Sequence, residues 1–432
     1  LFGEFDHSIP VNNEERITAI IAPNGSGKTQ CLRLIYALFS KRWSFFNEVK
    51  FDSAKFEFST GFRIEIKKID AENEDATTLG VEFNTFYPGE SLPIVWSPGL
   101  ASLKNMRMPI ERYLPFITRT SANRWTHDHT GEHYSLQELF EQFSDSLPET
   151  LKRSLYSDAP IVLMNIINSI DCHLIETQRL LILRDEAEEQ HYRDPRPAST
   201  LAISKKAQTL RSIIAKELTA YAALSQSLDQ SFPRRVISEQ RFLSPERLKE
   251  LLKDLDVKRQ SLMSAGILDK EADAPISLPE GNLDYAIARV LSVYVDDTST
   301  KLSSLSTLLL RIQLFKNLIK QRFTTKNVEV SKDGGFEIAA HKSKVPLEKL
   351  SSGEQHQLVL FFELLFELKS NALILIDEPE LSLHVAWQKK FISDLKSIIA
   401  LNGFDVILAT HSPQLISHWT NIVVELGEVD EK

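Results

Sequence analysis

The spacing of apolar residues changes several times along this 432-residue chain. Residues 16–22 alternate and are rich in isoleucine, which predicts a buried strand running into a glycine-containing loop. Residues 29–40 then place Leu32, Ile35, Tyr36 and Phe39 on one face of a predicted helix. From 49 to 86 the period falls to two. Phe51, Phe56, Phe58, Phe62, Ile64 and Ile66 predict antiparallel strands, with a polar break over 70–78. Residues 98–170 read as helical, interrupted by a polar loop at 118–134. His173–Ile175 is a short apolar strand ending at Glu176, Thr177 and Gln178.

Beyond Leu183 the pattern changes. Residues 184–197 are charged and contain proline, which marks a boundary. Three helical stretches follow. The first carries Leu210, Ile214, Leu218, Tyr221, Leu224 and Leu228; the second carries Leu248, Leu251, Leu255 and Leu262. The third, 285–322, has a near-heptad seam of Ile287, Leu291, Tyr294, Leu305, Leu308, Ile312, Phe315 and Ile319, interrupted at Thr298 and Lys301. As one helix it would extend roughly 55–60 Å. Such a seam suits an antiparallel coiled-coil arm or, equally, a packed helical bundle. Asp333-Gly334-Gly335 between two alternating runs predicts a hairpin. The remainder reads as helix to Leu368, strand 373–376, helix from 383, strand 405–409 and strand 422–426, the succession of an α/β parallel sheet. Three parts are therefore expected: 1–183, 184–322 and 323–432.

Composition narrows this picture without redirecting it. With 42% hydrophobic and 25% charged residues the chain is an ordinary globular one, and its 15 glycines favour long helices over turn-rich β structure. No apolar run approaches the roughly 18–20 residues of a membrane span, and no export signal opens the sequence, so a cytoplasmic protein is expected. Cys31 and Cys172 fit a reducing compartment. A net charge of −9 argues against a uniformly basic nucleic-acid surface but leaves room for a local one.

Chemistry concentrates in a few short segments. Residues 22–29, Ala-Pro-Asn-Gly-Ser-Gly-Lys-Thr, form a phosphate-cradling loop in which Ala22 stands where the pattern has glycine. Asn24, Gly25, Ser26 and Gly27 supply backbone N–H groups, Lys28 reaches the β- and γ-phosphates, and the Thr29 hydroxyl serves Mg²⁺. Four apolar residues ending in Asp377-Glu378 put two carboxylates at a strand end, where burial is costly unless a cation and water engage them. Asp377 would hold Mg²⁺ through water and Glu378 would act as general base. Ser351, Ser352, Gly353 and Glu354 precede a helix and offer an anion site; alone they read equally as an N-cap serine with its glutamate. His411, after another strand, is placed to donate a hydrogen bond to the γ-phosphate or to water. Gln178 is either a sensor of Mg²⁺ or water, or an ordinary loop glutamine.

In this order the segments resemble the ATP-binding-cassette ATPases: Walker A at 22–29, Q-loop at Gln178, signature at 350–354, Walker B at 373–378, D-loop around 380–384 and H-switch at His411. The Gly353-Glu354 signature ending and the long insertion between Gln178 and Ser351 are similar to the SMC, RecF and OLD-like branch. Ser352 departs from the usual glycine of the signature. The resemblance implies an ABC ATPase head, a parallel α/β core plus antiparallel β lobe with a helical, coiled-coil-like insertion. It also implies ATP and Mg²⁺ as cofactors, and a homodimer or higher oligomer with ATP sandwiched between heads, each signature serine serving the opposite Walker A. Residues 377–384 look like the OLD and RecF-like ATPases of bacterial defence systems, and residues 1–6 and 175–180 further resemble PtuA, the ATPase family of Septu antiphage systems, some associated with retrons. That likeness implies a PtuB-like HNH nuclease partner, nucleic acid and, in retron settings, a reverse transcriptase with its DNA and RNA. No Toprim nuclease segment of the OLD type follows His411, so any cutting is expected from the partner.

Other readings differ in class: a RecF/SMC-type DNA-repair clamp, a nucleotide-stabilised scaffold with little turnover, or a transporter motor, which the insertion and Gly-Glu signature disfavour. His127, Asp128, His129 and His133 carry metal-ligand chemistry but read as a polar surface loop. Arg193, Arg196, Arg234, Arg235 and Arg241 read as a solvated face rather than phosphate contacts. Phe2 and Phe5 read as core rather than as an adenine platform.

Overall fold

The computed structural model describes residues 1, 5–43, 45–69, 80–98, 110–121, 124–128, 130–134, 138–139, 142–143, 158–176, 198–240, 242–269, 283–323, 325–340 and 343–426. The chain opens with β1 (Ile17–Ile21) and α1 (Lys28–Ser40), then a short α2 (Phe45–Glu48). An antiparallel sheet follows, in order β2 (Ser53–Glu57), β3 (Arg63–Lys68), β4 (Val81–Phe86) and β5 (Ile94–Trp96). A second antiparallel sheet consists of β6 (Ile117–Ser121), β7 (Arg124–His127) and β8 (His133–Tyr134). The helix α3 (Ile161–Asn168) leads into β9 (Cys172–Ile175).

The segment 118–134 is thus strands rather than the expected polar loop. One narrow face, Ile117, Trp125, His127 and Tyr134, is buried, while the outer face is polar and solvated. His127 packs against Phe116 and Phe143, and its Nδ1 accepts the Thr130 N–H at 3.2 Å. Among the described residues no three His, Cys, Asp or Glu gather to hold a metal; His129 lies outside them.

The insertion begins with α4 (Ala198–Ser238), a 41-residue helix, and continues with α5 (Pro245–Ser264), α6 (Tyr285–Ser304) and α7 (Ser306–Lys320). The 285–322 stretch is two helices, not one. Leu305 has φ −93° and ψ 0°, and its N–H bonds back to Leu302 rather than continuing the α ladder. The apolar seam carries on across the break, so periodicity does not reveal it. Ala202, Ile203, Ala207, Leu210 and Ile214 of α4 share one core with Leu248, Leu255, Ile312, Phe315 and the head. The insertion is therefore rooted in the body of the protein. The predicted 184–197 boundary lies outside the described residues. Of the arginines, Arg235 pairs bidentately with the buried Asp297 across α4 and α6, and Arg234 is exposed; Arg193, Arg196 and Arg241 are not among the described residues.

After the insertion come the hairpin β10 (Asn327–Ser331) and β11 (Gly335–Ala340), as the Asp-Gly-Gly signal predicts, with β12 (Ser343–Val345) beside β11. Then α8 (Ser352–Phe362), β13 (Leu373–Asp377), α9 (Val385–Asn402), β14 (Asp405–Thr410), α10 (Pro413–Ile416) and β15 (Val423–Glu425) complete the chain.

The centre is a five-stranded, all-parallel sheet in the order β15-β1-β14-β13-β9. Both faces are covered, which is why its strands are near-continuous runs of Ile, Leu and Val. Ile20, Leu375 and Ile407 meet Cys31 and Leu32 of α1 on one face. Ile17, Ile374, Ile376, Val406 and Leu408 meet α8 and α9 on the other. Burying each such aliphatic side chain contributes about 1.5–3 kcal/mol. The far side of α1, with Trp43 and Phe46, packs on the β2–β5 sheet and α3 as a second core. A parallel α/β core, an antiparallel lobe and long inserted helices are the layout that the resemblance to ABC ATPase heads implies. No helix among the described residues is long and apolar enough to cross a membrane.

Candidate functional site

The register of the parallel sheet decides where the chemistry falls. Ile21 pairs with Thr410 and Asp377 with Ala409, so the carboxyl ends of β1, β13 and β14 lie side by side. The loops leaving these ends, 22–27, 378–384 and 411–412, converge at one edge, where ligands bind in open parallel sheets.

In the first loop Gly25 (φ 84°) and Gly27 (φ 89°) take left-handed backbone that other residues adopt only with strain. Gly27 is also the N-cap of α1, so the loop turns directly into a helix N-terminus. A Cβ on Gly25 would meet nothing within 4 Å, so the loop is open there. The Ser26 Oγ is buried and has no hydrogen-bond partner among the described residues. Lys28, only 5% exposed, turns its Nζ to the carbonyls of Ala22 at 2.7 Å and Pro23 at 3.0 Å. Burial draws its pKa down, against the upward pull of Glu378, Asp377 and Glu380.

Thr29 Oγ1 donates to the Asp377 carboxylate, at 3.1 and 3.0 Å from its two oxygens. Burial pushes the Asp377 carboxyl up, with Glu378 adding in the same direction and the Thr29 hydrogen bond opposing. A hydroxyl and a carboxylate this close form an oxygen donor pair of the kind Mg²⁺ takes. Glu378 follows in left-handed conformation (φ 43°, ψ 55°), its N–H fixed to the Ala409 carbonyl at 2.9 Å. His411 stands between the two loops, Nδ1 3.4 Å from Lys28 Nζ and Nε2 3.4 Å from Glu378 Oε1.

Ser351 is the N-cap of α8 and forms a complete capping box with Glu354. Glu354 Oε2 accepts the Ser351 N–H at 2.8 Å and its hydroxyl at 3.0 Å, while Ser351 Oγ accepts the Glu354 N–H at 3.3 Å. Such a cap contributes about 0.5–2 kcal/mol. Ser352 opens the helix and is exposed; Gly353 and Glu354 complete its first turn. Among the described residues the side-chain hydrogen bonds of Ser351 go to Glu354 and none to the 22–29 loop. Lys326 holds both Glu354 oxygens, at 2.8 and 2.9 Å.

The structure therefore gathers Gly25, Ser26, Gly27, Lys28, Thr29, Asp377, Glu378 and His411. Asn24 lies on the same loop, exposed. Gln178 lies outside the described residues, two positions past Glu176, which Arg33 of α1 contacts at 3.0 Å. Phe5 is not core: it is partly exposed and stacks on His7 with centroids 5.5 Å apart, and His7 Nε2 lies 2.7 Å from the Ser26 carbonyl. Phe2 is not among the described residues. Cys31 and Cys172 are unpaired thiols, pushed up to about 11 and about 12 by burial and so poor nucleophiles. Sequence reasoning gave no role to Lys326 and placed Glu380 only within the D-loop around 380–384; the contacts of both come from distant segments. For Glu380 the signal was a third acid within four residues, 377–380.

A glycine loop capping a helix, a hydroxyl–carboxylate pair and a carboxylate–imidazole pair thus stand together at the carboxyl edge of the parallel sheet. Residues 2–416 match the AAA ATPase domain family (AAA_15), and the chain belongs to it. No curated protein sequence matches the chain. The solved structures similar to it over most of its length include the following two. One is an Smc head domain with an extended coiled coil, bound to the C-terminal domain of ScpA, from Pyrococcus furiosus: 13% identity, TM-score 0.31, covering 96% of this chain and 88% of that one. The other is an SmcHead bound to the C-winged helix domain of ScpA: 12% identity, TM-score 0.33, covering 97% and 89%.

Proposed function

We propose that the protein is an ATP-hydrolysing switch whose heads pair across nucleotide. The observation that carries this reading is the row Lys28–His411–Glu378 set beside Thr29–Asp377 at one sheet edge. In this reading the backbone of Asn24, Gly25, Ser26 and Gly27 surrounds the β-phosphate, and Lys28 swings from its loop carbonyls to the β- and γ-phosphates. Thr29 and Asp377 hold Mg²⁺, with Gln178 as a further ligand or water sensor. The metal would neutralise charge on the phosphate oxygens. Glu378 takes the proton of the attacking water. His411 donates a hydrogen bond to the γ-phosphate or to that water.

Ser351, Ser352, Gly353 and Glu354 serve the nucleotide of a second chain. This is favoured by a cap that is fully built, exposed, and not bonded to its own phosphate loop. The division into 1–183, 184–322 and 323–432 then gives two halves of one head separated by an arm. The cellular part rests on the likeness of 1–6 and 175–180 to PtuA: in the cytoplasm, the ATP cycle would control a PtuB-like HNH nuclease acting on nucleic acid, with a retron reverse transcriptase and its DNA and RNA in some settings.

Phosphate release and nucleotide binding by the wild type, Lys28→Ala and Glu378→Gln test the core of this reading. Wild type hydrolyses Mg-ATP, Lys28→Ala does not bind it, and Glu378→Gln binds without turnover. Wild-type levels of turnover by both variants would end it.

A further inference from the structure

The turn that follows Glu378 holds a second glutamate with its own role. Glu380 is 8% exposed. Its Oε1 accepts the backbone N–H of His411 at 2.6 Å, across 31 residues of sequence. That distance is short, as expected where the acceptor is a carboxylate. Among the described residues Oε2 is buried and has no hydrogen-bond partner. A second strand of contacts runs alongside. Gln388 of α9 donates to the carbonyls of Glu380 at 3.4 Å and Leu383 at 3.2 Å, and its Oε1 accepts the Ser412 hydroxyl at 2.6 Å. Two adjacent residues after β14, His411 and Ser412, are thus tied to the 378–384 turn, one through Glu380 and one through Gln388.

The His411 ring needs this fixing. Its nitrogens stand 3.4 Å from Lys28 and 3.4 Å from Glu378, at the outer limit of hydrogen bonding, so a small rotation of the backbone at 411 would lose both. The Glu378 N–H is anchored to the Ala409 carbonyl, which fixes the facing carboxylate at the same carboxyl edge.

We propose that Glu380 is a positioning residue: through the His411 N–H it sets the imidazole between Lys28 and Glu378 and so fixes the geometry of the hydrolytic step. This inference rests on reading the site as an ATPase, and the controls separate the two. If Lys28→Ala and Glu378→Gln both leave turnover intact, the ATPase reading fails. If they abolish it, Glu380 is tested on its own.

Glu380→Ala is expected to lower kcat about 10- to 100-fold, the usual effect of a catalytic group displaced by about 1 Å, with KM for ATP within about threefold. Glu380→Gln keeps an oxygen for the same N–H and should restore most of that kcat. In a His411→Ala background, Glu380→Ala should add almost nothing, because both changes remove one function. A readout independent of turnover comes from the nucleotide-free protein labelled with ¹³C-histidine. The His411 ring resonance, assigned by its loss in His411→Ala, should move in Glu380→Ala and return in Glu380→Gln. Full kcat in Glu380→Ala, an equal loss in the His411→Ala background, or an unmoved His411 resonance would overturn the proposal. So would a loss in Glu380→Gln as large as in Glu380→Ala.

Discussion

His411 Nε2 lies 3.4 Å from Glu378 Oε1, a contact between residues at the ends of neighbouring parallel strands. Glu378 is held in a left-handed conformation, which turns its carboxylate out of the line of β13 and toward the imidazole. Glu378→Gln preserves the shape and removes the proposed base. Hydrolysis should fall by about two to four orders of magnitude while ATP affinity is retained. Single-turnover phosphate release, with nucleotide binding measured in parallel, checks this.

Thr29 and Asp377, the proposed cation pair, already share a hydrogen bond. Thr29→Val, which keeps the volume and removes the oxygen, should separate metal dependence from nucleotide binding. ATP affinity without Mg²⁺ should stay near wild type, and the gain on adding Mg²⁺ should be largely lost. Calorimetric titration with and without EDTA measures both.

Lys326 precedes β10, and its ammonium engages the same Glu354 carboxylate that caps Ser351. Burial acts to raise the Glu354 pKa, but hydrogen bonds from Lys326 and from Ser351, with the Lys326 charge, bring it below its ordinary value. A carboxylate depressed in the folded state stabilises fully above its unfolded pKa. That stability is lost as pH falls through the lower folded value. Glu354→Gln should therefore be less stable than wild type at neutral pH, and the difference should narrow below the ordinary carboxylate range. Denaturant unfolding at neutral and acidic pH tests the sign.

Gly335 opens β11 with φ 73°, and a Cβ there would come within 1.9 Å of the Ala207 carbonyl oxygen of α4. The hairpin thus touches the backbone of the long helix, which no other residue allows. Gly335→Ala combines strain with a backbone clash and should destabilise by about 3 kcal/mol or more. Thermal unfolding compared with Gly334→Ala, at a neighbouring glycine that meets only side-chain atoms, tests it.

The parallel core was legible because β1, β13 and β14 are buried on both faces, and such strands become apolar runs with the loops at their carboxyl ends. That position made Lys28, Thr29, Asp377, Glu378 and His411 readable as one edge. The break at Leu305 was not legible, since the seam through Leu308, Ile312 and Phe315 keeps its period across it. Strands 117–134 escaped notice because their single buried face is narrow and includes a histidine. Phe5 was misread because aromaticity alone does not distinguish core from a ring stacked on His7. Glu380 and Lys326 act on residues 31 and 28 positions away, and nothing in local sequence specifies such approaches.

Pairing of heads across ATP is the central claim, and the mass of the Glu378→Gln protein tests it most directly. In analytical ultracentrifugation Mg-ATP should convert it from one chain to two. Ser351→Arg in the same background should bind ATP and remain a single chain. Saturating ATP binding by Glu378→Gln with no change in mass, or a dimer that Ser351→Arg leaves intact, would contradict the account.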